Sequence, residues 1–134
     1  MKKTFEEAPQ KIFELAGKYS CLCLCYLFCI GIDAIEFIKK YDKLVKEGII
    51  TEDCFVLDGI KLLKFFGAKD PIIIREGNND GSLVIEKWTY NGMSHFVVAD
   101  ENGLVYDSLG ESNCYKYGTK VETRTVYTKE NTWT

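Results

Sequence analysis

The sequence predicts an α+β fold in which N-terminal helices pack on a C-terminal antiparallel β-sheet. Before Gly67, apolar residues recur at the three- and four-residue spacing of amphipathic helices. After Gly67, β-branched and aromatic residues alternate between turn signals, as they do in strands. Helices followed by strands in this order are typical of α+β proteins. The 134 residues have the common size of one domain, so we expect residues 1–134 to form a single domain with one core.

Four helices are predicted in the first half of the chain. The first covers residues 4–16. The second follows Ser20, a favourable N-cap, and covers residues 21–30. Because this second segment is apolar on every side, we expect it to lie buried in the middle of the fold. The third helix follows the N-cap Asp33, and the fourth runs from about Asp58 to Gly67.

Five strands are predicted in the second half, over residues 71–75, 82–90, 94–99, 104–107 and 121–129. The third and fourth strands are separated by Glu101, Asn102 and Gly103, and an Asn-Gly pair between such segments is a strong hairpin signal. The sheet is therefore expected to contain an antiparallel hairpin near residue 102.

Charge and hydropathy exclude several classes of function. The formal net charge is −3, so no large basic surface is expected for nucleic-acid binding. The longest apolar run, residues 21–32, is too short for a membrane-spanning helix, which needs roughly 20 residues. Charges within residues 5–11 stand where a signal peptide would be apolar. We therefore expect a cytoplasmic protein with no membrane and no nucleic-acid partner.

The six cysteines are interpreted as reduced thiols rather than as disulfides or metal ligands. Four of them crowd into residues 21–29 of one predicted helix, where disulfide geometry is hard to satisfy. A spacing of two along a helix sends side chains to different faces, and the paired ligands of a structural zinc site are missing. No glycine-rich phosphate loop is present either. The sequence thus predicts no metal and no cofactor.

Three residues could carry chemistry together: Cys21, His95 and Asp107. Cys21 falls in the first turn of the second helix, where the helix dipole favours a thiolate and free backbone N–H groups can stabilise an oxyanion. His95 is the single histidine and opens a strand, where it can act as a general base. Counting back from the hairpin turn places residue 95 opposite residue 107 or 108, so the Asp107 carboxylate can orient the imidazole.

Structural roles are open for all of these residues. The thiols of Cys23, Cys25 and Cys29 are expected to be small, inert core groups, and Cys54 and Cys114 are expected to be packing residues. The same interpretation is available for Cys21, for His95 as a structural histidine and for Asp107 as a turn carboxylate.

The three positions resemble those of the papain-like cysteine peptidase fold. Cys21 at a helix start, His95 within residues 94–98 and Asp107 within residues 105–108 are similar to the pattern of its compact bacterial and phage members, such as the bacteriocin-processing C39-like peptidases and the cell-wall NlpC/P60 hydrolases. Residues 19–21, 49–56 and 106–112 also resemble an uncharacterised family of small phage- and plasmid-encoded proteins. The resemblance extends from about residue 10 to residue 126.

The resemblance implies a cysteine peptidase or amidase that acts on a peptide or protein substrate. Cys21 would be the nucleophile, His95 the base and Asp107 the residue that fixes the ring. Many papain-like enzymes place a Gln before the nucleophile to form the oxyanion hole, whereas this chain has Tyr19 in the approach, so the Tyr19 hydroxyl or backbone N–H groups would have to serve. Ser94 stands where the pattern has Gly. These departures leave room for a papain-like module that binds a host protein without cleaving it, as a phage or mobile-element accessory protein, or for a purely structural protein.

Overall fold

The computed structural model of the protein describes residues 20–75, 83–110 and 112–129. Three helices precede the sheet: α1 (Ser20–Cys29), α2 (Ala34–Lys46) and α3 (Gly59–Phe65). The strands are β1 (Ile72–Arg75), β2 (Val84–Tyr90), β3 (Met93–Asp100), β4 (Gly103–Tyr106) and β5 (Thr119–Tyr127), with a short helix α4 (Asn113–Tyr117) before β5. The predicted first helix, residues 4–16, lies outside the described residues.

The five strands form one antiparallel sheet in the order β1-β5-β2-β3-β4, which confirms the predicted α+β class. Strand β5, the last of the described strands, is inserted between β1 and β2. Strands β3 and β4 are joined by the predicted hairpin. Because β5 pairs with both β1 and β2, all five strands belong to a single sheet.

Local capping fixes where α2 and α3 begin. The Asp33 carboxylate accepts a hydrogen bond from the Glu36 N–H at 2.8 Å, and the Asp58 carboxylate accepts one from the Lys61 N–H at 3.0 Å. Both aspartates have extended backbone conformations, as N-cap residues do. The predicted cap at Asp33 is confirmed, and the predicted start of the next helix near Asp58 is confirmed as well.

Ser20 was expected to be the N-cap of α1, and this prediction was wrong. The residue is already part of the helix, whereas an N-cap residue lies outside it. Its buried hydroxyl has no hydrogen-bond partner among the described residues.

Helix α1 lies in the core and packs against the sheet, mainly against β3. Its side chains from Cys23 to Phe28 are all buried, and Phe28 stacks on Tyr106 of β4 with ring centroids 4.8 Å apart. Burying a side chain such as Leu24 or Leu27 contributes about 1.5–3 kcal/mol to folding. A helix surrounded by protein needs no polar face, which explains why residues 21–30 show no amphipathic pattern. Among the described residues, no helix combines the length and apolar character needed to cross a bilayer.

The short helix α4 was not predicted from the sequence, and it packs against β2 and β3. Its N-cap is Ser112, whose hydroxyl accepts a hydrogen bond from the Tyr115 N–H. The Tyr115 ring lies edge-on to Trp88 with centroids 4.9 Å apart. Trp88 is directly opposite His95 in the β2–β3 ladder, and opposite residues of an antiparallel pair project to the same face. Helix α4 therefore covers the face of the sheet from which His95 projects.

Candidate functional site

Cys21 is the second residue of α1, and its thiol lies beside His95 at the start of β3. Two backbone N–H groups, those of Leu22 and Phe96, also hydrogen-bond to the sulfur. Burial alone would raise the pKa of the Cys21 thiol, because it penalises the thiolate. The hydrogen bond to His95, the positive charge of that ring and the two N–H groups outweigh burial, so the pKa is lowered below the ordinary 9.0.

His95 is held on its other side by Asp107. The ring is 4% exposed, and its Nε2 lies 2.7 Å from Asp107 Oδ1. With Nε2 engaged by the carboxylate, Nδ1 is the ring nitrogen left to face the thiol. Burial lowers the pKa of His95, but the hydrogen bonds to Asp107 and Cys21 and their negative charges raise it from 6.5 to about 9. The imidazole is therefore protonated at neutral pH.

Asp107 follows the last residue of β4, and its carboxylate accepts four hydrogen bonds. Oδ1 accepts from His95 and from the Leu109 N–H at 2.9 Å. Oδ2 accepts from the Ser112 hydroxyl at 2.6 Å and from the Ser112 N–H at 3.1 Å. Although burial raises the pKa of Asp107, these hydrogen bonds and the charge of His95 lower it from 3.8 to about 2. The carboxylate thus remains an anion in a fixed orientation.

The hairpin between β3 and β4 brings His95 and Asp107 together in a way that the sequence count only approximated. Near the turn, Ala99 pairs with Leu104 as the count requires. An irregularity then shifts the register so that Val98 pairs with Tyr106, and the ladder ends there. His95 and Asp107 are consequently not ladder partners, and they meet through their side chains.

The resulting arrangement favours a thiolate–imidazolium pair. The hydrogen bond to His95 and the charge of its ring lower the pKa of Cys21, and the hydrogen bonds of His95 to Asp107 and Cys21, with the charges of both, raise the pKa of His95. The two groups titrate as a coupled pair, and in the intervening pH range the proton resides on the ring. A thiolate beside an imidazolium is the reactive form of a nucleophilic cysteine.

The other five cysteines lack this activation. All six thiols are free, and burial raises the pKa of the remaining five, to about 12 for Cys29 and Cys54. The pKa values of Cys23 and Cys25, both fully buried beside Cys21 on α1, lie well above 9.0. Cys114 is also buried, and its pKa is raised as well. Cys21 differs from them by its position at the helix start and its contact with His95.

Comparison with known proteins places this geometry in a family without an assigned activity. Residues 1–129 match the model of the family described as "Protein of unknown function, DUF261". The chain belongs to the DUF261 family. No curated protein and no solved structure matches it. In this DUF261 member, the chemistry of the site has to be argued from its own residues.

Ser112 is the residue of the DUF261 site that the sequence did not reveal. It anchors both α4 and the Asp107 carboxylate, and it is almost fully buried. The sequence signal that could have identified it is a Ser that precedes a short segment containing Cys114 and Tyr115, since Ser is a preferred N-cap. Tyr19, the sequence candidate for the oxyanion site, lies outside the described residues.

A cavity of about 460 Å³ opens beside the Cys21 thiol. Its wall is mostly apolar and is formed by Leu22, Phe55, Val56, Met93 and Phe96, together with Lys87, Gly92 and Ser94. The Phe55 and Met93 side chains are 53% and 67% exposed, so they form an apolar rim. A cavity of this kind beside a nucleophile is suited to hold the side chain of a substrate.

Proposed function

We propose that this DUF261 protein is a cysteine hydrolase that cleaves a peptide or amide bond through Cys21, His95 and Asp107. The observation that carries the proposal is the buried chain of contacts from thiol to imidazole to carboxylate, in which the pKa of Cys21 is lowered and that of His95 is raised. A reactive Cys at the start of a central helix, packed on an antiparallel sheet that carries the His and the Asp, also supports assignment to a papain-like fold.

In the proposed reaction, the Cys21 thiolate attacks the carbonyl carbon and the resulting oxyanion collapses with cleavage of the C–N bond. The His95 imidazolium gives its proton to the leaving amine, which departs and leaves a thioester on Cys21. Water then attacks the thioester carbonyl while neutral His95 takes up one of its protons. Release of the acid restores the thiolate–imidazolium pair.

The start of α1 supports stabilisation of the oxyanion. The first N–H groups of a helix have no partner inside the helix, and Cys21 lies at that position in α1. Such donors act strongly in a site from which water is excluded. Asp107 never exchanges a proton in this scheme and instead fixes the ring and stabilises its charge.

The proposal is tested by labelling the folded protein with iodoacetamide and mapping the modified cysteines by mass spectrometry. We expect Cys21 to be modified before the other five and His95→Ala to slow this reaction by about tenfold or more, since the thiol loses its cationic partner. Cys25→Ala, which removes a neighbouring thiol on α1, serves as the matched control. Undiminished labelling of Cys21 in His95→Ala would remove the basis for the catalytic assignment.

Binding without cleavage is the second candidate, and the exposed apolar rim formed by Phe55 and Met93 favours it. A peptide library incubated with the wild-type protein and with Cys21→Ala distinguishes the two. Cleavage products that appear only with the wild type support hydrolysis. Peptides retained equally by both proteins and released intact support binding.

A further inference from the structure

A second cavity, of about 360 Å³, adjoins the one beside Cys21 and has a different chemical character. Leu22 and Val56 line both cavities, so they are neighbours in one groove. Whereas the first is lined mainly by apolar side chains, the lining of the second includes Arg75 and Arg124. We infer that this second cavity is a subsite for a substrate carboxylate, an inference that rests on the proposed function.

The Arg124 guanidinium is held in place by only some of its N–H hydrogen-bond donors. Its side chain is only 11% exposed, its Nε donates to Glu122 and its Nη1 donates to the Tyr26 hydroxyl at 2.9 Å. A guanidinium has five N–H donors, and the other three have no partner among the described residues. Its carbon Cζ lies 5.2 Å from the centre of the Phe96 ring, a cation–π contact with a residue of the first cavity. The group is thus oriented before any ligand arrives.

The acidic residues nearby leave the arginine pair incompletely neutralised. Glu122 is shared, because its other oxygen lies 3.7 Å from Arg75 Nη1. Asp58 also lines the cavity, but its carboxylate caps α3 and forms no ion pair with any described residue. Two guanidinium groups are thus paired directly with one carboxylate, which leaves positive charge for a second carboxylate. Arg binds carboxylates with paired N–H donors.

Helix α1 gives the distance between the Cys21 thiol and the proposed carboxylate subsite. Tyr26, the partner of Arg124, follows Cys21 by five residues on α1, which corresponds to about 7.5 Å along the helix axis. Allowing for the side chains, the reacting carbonyl and the bound carboxylate would be separated by on the order of 10 Å, or about three residues of extended peptide. The substrate class is therefore a peptide with an apolar residue near the scissile bond and a carboxylate about three residues away.

The test uses four peptide epoxides that extend on both sides of the electrophile and share one apolar residue next to it. One probe has Glu three residues away with an amidated C-terminus, and a second has Gln there with a free C-terminal carboxylate. The third has Gln and an amidated C-terminus, and the fourth has Lys. The rate of Cys21 modification is measured for each probe, and the first two distinguish a side-chain carboxylate from a terminal one.

We expect one of the two acidic probes to modify Cys21 about ten- to a hundredfold faster than the neutral probe, as for a hydrogen bond to a charged group. Arg124→Gln should bring that ratio close to one. Because this variant removes buried contacts, Arg75→Gln provides a second test: its side chain is 62% exposed, so folding should be retained while the ratio falls severalfold. Lys120 is a partly exposed cation that lies on β5, as Arg124 does, but outside the cavity, so Lys120→Gln should leave the ratio unchanged.

Equal rates for the acidic and neutral probes would overturn the subsite, as would a faster reaction of the Lys probe or a ratio that survives Arg124→Gln in a folded variant. In each of these cases Cys21 is still modified with dependence on His95, so the proposed hydrolase stands. If no probe modifies Cys21 faster than it modifies the other cysteines, the proposed function fails and the subsite fails with it.

Discussion

Replacing Asp107 with Asn tests whether the carboxylate controls the charge of the whole site. Asn keeps the size of the side chain and its oxygen can still accept from the Leu109 N–H, but the negative charge 2.7 Å from His95 is lost. The rise in the pKa of His95 from 6.5 to about 9 corresponds to about 3 kcal/mol favouring the imidazolium. Asp107 and Cys21 share this stabilisation, and the hydrogen bond between His95 and Asp107 is its largest single contribution.

Removing half of this stabilisation would lower the ratio of imidazolium to neutral imidazole at a given pH by about tenfold. The pKa of Cys21 should then rise toward 9.0, because its cationic partner is lost. The rate of Cys21 alkylation by iodoacetamide, measured between about pH 6 and pH 9, should fall less toward low pH in the wild type than in the variant, because the wild-type thiol has the lower pKa. In Asp107→Asn it should fall steeply toward low pH, although the greater nucleophilicity of a more basic thiolate reduces the difference at high pH.

Asp100→Asn is the matched control, because this carboxylate lies on the same hairpin and, among the described residues, accepts only from the Asn102 N–H in the loop. Its alkylation profile should coincide with that of the wild type. The reasoning is refuted if Asp107→Asn also retains the wild-type profile. Since the carboxylate orients the ring without reacting, Asp107→Asn should retain more activity than Cys21→Ala or His95→Ala.

Further predictions concern the support of the site, the core and pH. Ser112→Ala removes the hydroxyl at 2.6 Å from Asp107 and the cap of α4. We therefore expect Cys21 labelling to slow severalfold and the free energy of unfolding in urea to fall by about 1–2 kcal/mol. Ser112→Thr should restore both, and a stability loss without slower labelling would contradict a role in positioning. Cys25→Ala should reduce that free energy by about 1–3 kcal/mol and leave the labelling rate per folded molecule unchanged; slower labelling would show that this thiol belongs to the site. In Cys21→Ala the opposing titration of the thiol is absent, and Asp107 keeps the pKa of His95 above 6.5 but below the value of about 9 that Asp107 and Cys21 produce together. The His95–Asp107 pair then stabilises the fold fully below pH 6.5, and this contribution should be lost as the pH rises through the raised pKa, between 6.5 and about 9; a flat stability curve over that range would argue against the pair. Amides in the middle of α1 should exchange among the slowest in the chain, and fast exchange there would contradict its central position.

Helix boundaries and strands were predictable because local signals determine them. Asp33 and Asp58 cap helices whose apolar spacing is regular, and these caps depend on residues only three positions apart. The Asn102-Gly103 turn likewise determines the β3–β4 hairpin within a few residues. The register of the β3–β4 hairpin departs from expectation for a reason that is not local. The shift between Ala99 and Val98 changes which residues are opposite each other, and no pattern of alternation in the sequence marks it.

The candidate site was predictable in its residues and not in its supports. Cys21 was identified from its place at a helix start, and His95 from being the single histidine at the start of a strand. Ser112 was not identified because the short helix that it caps was not predicted, and Arg124 was not identified because its role depends on a residue far away in the sequence. Arg124 meets Tyr26 across 98 positions, a contact that depends on β5 being inserted between β1 and β2. Only the strand order brings that guanidinium to the groove.

The position of α1 links the core of the protein to its proposed chemistry. A helix that is buried on all sides can present only its ends to solvent, and the N-terminal end is the one that stabilises an anion. The core residues from Cys23 to Phe28 therefore fix the direction of the helix, and this direction places the half-buried Cys21 against the edge of β3. The Phe96 N–H and the His95 ring then reach the sulfur from the sheet, while the Leu22 N–H reaches it from the helix. The burial of α1 thus accounts both for the apolar character of the segment and for the thiolate character of Cys21. Mutations in the middle of α1 that tilt the helix should alter Cys21 reactivity, even though they change none of the three proposed catalytic residues.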